Sequence, residues 1–308
     1  MPPVDPADEA RHQPDGIDLW NESYYLDWFT PDGSTGGYVR LGFVPSLGGV
    51  WYWACLVEEG GRLVTVIDHD VAAPTDPRSM EVRHDGLWAD HHIHEPTERM
   101  SCSLEAFAVA LDDPADVYHG AMGERVPFGF ELDWETDRAA YQWPPLTTPR
   151  YEIPCRVHGE VLVGQRRIEV DGWGQRDHSW GAPRDWWSNR WCWSAGRLED
   201  GTRWHTAGAF NDLDGWGVTY VLPAGSDEFS ESMELKVEAD VGREGLVDRG
   251  RLVFGGLDLE VTPVAWSPVL LEHPSGRQAR FPRAMARVQA ADGRHGVCWI
   301  EWNQPPAS

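Results

Sequence analysis

Apolar and polar residues alternate along most of the chain in short runs bounded by Gly, Pro, Asn or Asp. The runs at 38–44, 50–57, 62–68, 101–110, 128–134, 156–163, 167–173, 191–198, 203–210, 217–222, 232–239, 251–254, 257–264, 284–290 and 296–302 read as strands. Helical spacing is scarce, and the best helix candidate is short, at 113–120. Neighbouring runs are joined by Glu59-Gly60-Gly61, Glu199-Asp200-Gly201, Gly255-Gly256 and Asp292-Gly293, all of hairpin type. Successive hairpins make a meander, and a meander hides its edges best by curling into a barrel.

Two hairpins look alike. Trp51-Tyr52-Trp53-Ala54 with Glu58 to Arg62 parallels Trp191-Cys192-Trp193-Ser194 with Glu199 to Arg203, each placing two indoles on one strand face. If each opens a barrel, the boundary lies near 184. The organisation expected is a poorly ordered arm over 1–18, a barrel domain over 19–184 and a second over 185–308.

The chain has 308 residues, and its 50 acidic against 26 basic side chains give a net charge of −24. Such a surface repels nucleic-acid phosphates and anionic lipid, so partners of those classes are not expected. No apolar run approaches the roughly 18 residues of a membrane span, and the first residues lack the pattern of a secretion signal. A cytoplasmic protein is expected; a homodimer is left open. Five scattered cysteines, without a CxxC pair, read as buried thiols. No GxxxxGK, dinucleotide glycine fingerprint, GxSxG or HExxH is present, and no organic cofactor is called for.

Tryptophan is abundant, with 18 residues, and Trp173, Trp180, Trp186, Trp187, Trp191, Trp193, Trp204 and Trp216 crowd one stretch, as an apolar core or as flat pocket walls. Within it, Gly172-Trp173-Gly174-Gln175-Arg176-Asp177-His178-Ser179-Trp180-Gly181 is the densest polar group, its glycines read as permitting a sharp turn. A histidine beside a carboxylate and ringed by indoles suits proton transfer to an alkene or carbinol; a purely structural Arg-Asp-His network is the alternative.

The run Asp177-His178-Ser179-Trp180-Gly181 resembles the Asp-His-x-Trp-Gly motif of the carotenoid 1,2-hydratase and AttH-like superfamily. The wider sequence resembles an actinobacterial branch, through Trp20 to Tyr25, Gly37 to Gly42, Val157-His158-Gly159 and Glu301-Trp302-Asn303. The resemblance implies two lipocalin-like antiparallel β-barrels packed together, an all-β fold. It also implies a junctional pocket for a lipophilic terpenoid, steroid or polyketide-like molecule. The expected chemistry is that of a hydratase or dehydratase, cyclase or isomerase working without a cofactor. His178 would transfer the proton, oriented by Asp177. Trp180, Trp193 and Trp204 would wall the pocket, Arg176 or His205 would hold a polar group, and Glu22 would add an early acidic contact. The second carboxylate expected on a following strand is missing from 204–210, where His205 stands instead. A non-catalytic carrier or sensor of a hydrophobic small molecule uses the same pocket and is the alternative function.

Three other features compete. Gly86, His92, His94 and Glu98 fit part of a cupin metal motif, but Glu105 replaces its closing glycine and no second half follows. Glu22, among aromatics, reads as either a buried acid or a residue at a barrel mouth, the second being favoured. Glu301 alternates with Ile300 and Trp302, which sets it on the opposite strand face from both.

Overall fold

The computed structural model describes residues 3–145, 148–182, 185–188, 190–209 and 216–303. Among the described residues, all regular structure apart from short 3-10 turns is β. The first half forms β1 (Asn21–Phe29), β2 (Thr35–Val44), β3 (Gly49–Glu58), β4 (Leu63–Val71), β5 (Val82–His84), β6 (Leu87–Glu95), β7 (Arg99–Leu111), β8 (Glu124–Thr136), β9 (Tyr141–Gln142), β10 (Arg150–Val163) and β11 (Arg166–Gly181). Their order is β4-β3-β2-β1-β11-β10-β8-β7-β6-β5, with β9 on β10. Pairing of β4 with β7, from Leu63↔Leu111 to Thr65↔Val109, closes a ring at that end of the two strands.

The second half forms β12 (Trp191–Leu198), β13 (Arg203–Ala209), β14 (Trp216–Leu222), β15 (Ser230–Glu234), β16 (Lys236–Val241), β17 (Val247–Phe254), β18 (Leu257–Trp266), β19 (Val269–Glu272), β20 (Gln278–Phe281), β21 (Arg283–Ala290) and β22 (His295–Asn303). Nine of them run β15-β14-β13-β12-β22-β21-β18-β17-β16, while β19 and β20 make a separate hairpin. This sheet is a half-barrel, and with the ring-closed first sheet it makes the expected all-β fold of two large antiparallel sheets. Its two margins, β15 and β16, follow one another with only Leu235 between them. A chain that crosses from one margin to the other through a single residue cannot ladder against itself. Leu235 instead turns fully inward and plugs the gap with apolar contact.

Three apolar clusters result. One fills the closed barrel around Leu26, Leu41, Trp134 and Ile153, and one fills the half-barrel around Leu252, Leu259 and Trp302. The third glues the two sheets together through Tyr38, Trp53, Trp193 and Trp299. Polar contacts reinforce it: Trp299 Nε1 donates to the Trp28 carbonyl at 3.0 Å, and Tyr38 Oη to the Ser267 carbonyl at 3.2 Å. Strand β1 is therefore buried on both faces along all nine residues.

The helix expected at 113–120 is a 3-10 turn, Pro114–His119, whose first turn is capped by Asp113 accepting from the Ala115 N–H at 2.9 Å. All five cysteines are buried and free. The two Trp-x-Trp hairpins occupy different places: β12 lies beside the last strand of its sheet, whereas β3 is two strands removed from β11. The strand that opens the first barrel is β1, which carries no such motif.

Candidate active site between the sheets

Strand β11 pairs with β1 and β10, bringing Tyr24 and Tyr151 opposite His178, and Tyr25 and Glu152 opposite Asp177. The Gly-rich segment does not turn, because it lies inside a continuous sixteen-residue strand. Its glycines serve close approach: a Cβ on Gly174 would stand 1.9 Å from the Asp27 carbonyl oxygen, and one on Gly172 would stand 2.2 Å from that of Phe29. Because successive side chains of a strand point to opposite faces, Asp177 and His178 cannot act as one dyad.

The even-numbered residues face the mouth of the closed barrel. His178 is buried, stacked on Tyr24 at 3.9 Å between ring centroids, with Nε2 3.1 Å from Glu22 Oε1. Glu22 is fully buried rather than solvated. Burial raises its pKa, but hydrogen bonds from the rings of His12 and His178 and from the His12 backbone outweigh this and leave it below the usual glutamate value. Arg176 is buried against Glu9, donating to both carboxylate oxygens at 2.9 and 3.0 Å. Trp180 stacks on His12 at 3.9 Å. The segment expected as a loose arm thus supplies Glu9 and His12 to this cluster, with Val4 and Glu9 buried.

The odd-numbered residues face the junction of the sheets, where a cavity of about 340 Å³ is lined by Tyr25, Trp53, Asp177, Trp193, Arg283 and Glu301, among others. Its volume falls at the lower end of the range for small-molecule sites. Trp143, Trp186, Trp191 and Trp216 complete an indole wall, so the Trp-rich stretch does line a hollow. Two carboxylates are each held by a guanidinium: Arg150 Nη2 meets Asp177 Oδ2 at 2.6 Å, and Arg283 Nη2 meets Glu301 Oε2 at 2.5 Å. Arg150 also donates to buried Glu152 at 2.6 Å. Burial raises the Glu301 pKa, with Arg283 opposing, and the net value stays above the ordinary one. The Tyr25 phenol is likewise held protonated, by burial and by Asp27. An indole-walled hollow with a guanidinium-bound carboxylate, an elevated carboxyl and a phenol can bind a lipophilic guest and move protons on it.

Of the residues expected at the site, Asp177 and Trp193 reach this cavity. His178, Arg176, Trp180 and Glu22 belong to the barrel-mouth cluster on the other face. His205 is buried behind the wall, 5.6 Å from Trp143 and 5.8 Å from Trp193 between centroids, and burial drives its pKa well below normal. Trp204 points into the half-barrel core, packed on Gly196. Glu301 faces the cavity while Ile300 and Trp302 enter that core, as the alternation required. His92, His94 and Glu98 lie exposed on a strand end and turn, with His94 Nε2 2.8 Å from Ser101 Oγ. Among the described residues, the grouping of three metal-capable side chains is His12, Glu22 and His178 instead. Arg150 and Arg283 escaped sequence reasoning because their partners lie 27 and 18 positions away, joined only by strand pairing.

Residues 5–306 match the profile of the domain of unknown function DUF7064. The chain belongs to that family. No curated protein matches it. Among solved structures, a candidate AttH from Nitrosomonas europaea is similar over 100% of both chains, at 14% identity and a TM-score of 0.66. CghA with Sch210972 is similar over 92% of this chain and 88% of that one, at 10% identity and 0.62. Kievitone hydratase from Nectria haematococca is similar over 98% and 94%, at 9% identity and 0.60. At these identities the likeness establishes the shared two-sheet fold.

Proposed function

We propose that this DUF7064 protein is a cofactor-independent acid–base enzyme, a hydratase, dehydratase, cyclase or isomerase, acting on a lipophilic small molecule in the inter-sheet cavity. The carrying observation is the pair of guanidinium-bound carboxylates, Asp177 and Glu301, on the rim of an indole-lined hollow. Asp177, held by Arg150, would accept a proton; Glu301, whose pKa burial raises, would donate one. Trp193 and Trp53 would hold the apolar body and lie near any cationic carbon that develops. Support from relatives is of the same kind: one fold neighbour is named as a hydratase, and another was crystallised with Sch210972.

The test is a panel of lipophilic terpenoids, steroids and polyketides that includes kievitone, read by tryptophan quenching and by mass spectrometry of the recovered compound. A bound compound should return with water added or lost, or isomerised. Asp177→Asn and Glu301→Gln should cut turnover by about 10²–10⁴-fold while quenching persists. His178→Ala should keep turnover, since its ring faces away from the cavity. Ligands that bind and always return unchanged would establish the carrier instead.

A further inference from the structure

The barrel-mouth cluster combines features that its role in packing leaves unexplained. Oε1 of Glu22 faces three nitrogen atoms: His12 backbone N at 2.8 Å, His12 Nδ1 at 2.9 Å and His178 Nε2 at 3.1 Å. Its other oxygen, Oε2, is buried without a hydrogen bond, with Arg11 Nε 3.9 Å away. His178 Nδ1 is also buried and without a hydrogen-bond partner. On its far side, His12 presents Nε2 to Asp8 Oδ1 at 3.6 Å. A carboxylate on that side stands where outer carboxylates stand behind metal-bound histidines. His12 Nδ1 and His178 Nε2 thus converge on one oxygen of a buried carboxylate. A metal ion at that point would take the place of the two ring-to-carboxylate hydrogen bonds.

The geometry points to a divalent transition-metal site, zinc the first choice, formed by His12 Nδ1, His178 Nε2 and a Glu22 carboxylate oxygen. The three ligand atoms lie within 4.8 Å of one another. Tetrahedral bonds of about 2.0–2.2 Å place adjacent ligand atoms roughly 3.3–3.6 Å apart, so the observed 2.9 and 3.1 Å would open by a few tenths of an ångström on binding. Two imidazoles and one carboxylate form a donor set that binds zinc or ferrous iron. The ligands come from two separate parts of the chain: Glu22 and His178 sit on paired strands β1 and β11, whereas His12 lies on the segment crossing the barrel mouth. An ion there would clasp that segment to the barrel. This inference is independent of the reaction proposed for the cavity.

The test titrates metal-stripped full-length protein with Zn²⁺ by calorimetry and with Co²⁺ by visible absorption. Wild type should bind one equivalent, and Co²⁺ should give ligand-field bands. His12→Ala removes a ligand outside the barrel, so the fold should survive, which circular dichroism can check; its affinity should drop at least about 100-fold. The His92→Ala/His94→Ala double variant, which removes the exposed histidine pair, should keep the equivalent. Wild-type protein that binds no equivalent, His12→Ala that binds as tightly as wild type, or an equivalent lost with His92 and His94 would each overturn the proposal.

Discussion

Replacing Glu9 by alanine tests whether the amino-terminal segment is part of the folded unit. The Glu9 carboxylate is 2% exposed and Arg176 is 3% exposed, so both charges lie out of water. The substitution removes two charge-assisted bonds, at 2.9 and 3.0 Å, and the acceptor of the Tyr151 hydroxyl at 2.6 Å. Breaking one side of a buried ion pair costs about 3–5 kcal/mol, because the remaining charge stays desolvated. Urea unfolding followed by tryptophan emission should therefore show a midpoint lower by about 1–2 M, for a slope near 3 kcal/mol/M. Glu9→Met/Arg176→Met removes both charges and should recover most of the loss. Glu9→Ala within about 0.5 kcal/mol of wild type would refute the reasoning, and would mean that water already reaches Arg176.

Other outcomes follow from single features. Gly174→Ala should cost at least about 3 kcal/mol or abolish soluble expression, because its methyl group meets the Asp27 carbonyl within the β1–β11 ladder; thermal unfolding checks this. Burial pushes the His91 pKa down to about 3, so the folded protein takes up that proton far less readily than the unfolded chain. Its stabilising contribution is present above pH 6.5 and is lost as pH falls towards 3, at up to about 1.4 kcal/mol per pH unit. His91→Phe should flatten that limb of the stability–pH curve, and an unchanged slope would locate the effect elsewhere. The Glu301→Gln and Asp177→Asn variants should separate binding from turnover as stated above.

Much of the architecture was legible in the chain because most strands are wet on one face or end in turn residues. Strand β12 coincides with the run at 191–198, and β3 extends the run at 50–57 by one residue at each end. Strand β1 was missed. Its sequence, NESYYLDWF, has no alternation to detect because both of its faces are covered, one by the barrel interior and one by the second sheet. The run at 232–239 was read as one strand, yet it spans the corner at Leu235, which no local pattern marks. At the site, composition identified the Trp-rich stretch and the Arg-Asp-His group as chemically dense. Period-two geometry alone already separated Asp177 from His178, and applying it there as it was applied to Glu301 would have assigned them to different faces. Arg150, Arg283 and Glu9 needed the tertiary structure, since their pairings cross the sheet or come from a distant segment.

The half-barrel leaves two unpaired backbone rows, and their decoration has a bearing on self-association. Glu231 and Glu234 lie along one margin, and Glu238 and Asp240 lie along the other, on either side of the Leu235 corner. A second molecule trying to extend the sheet by adding its own margin would bring carboxylates against carboxylates. Repulsion between these rims thus opposes end-on stacking of one half-barrel on another.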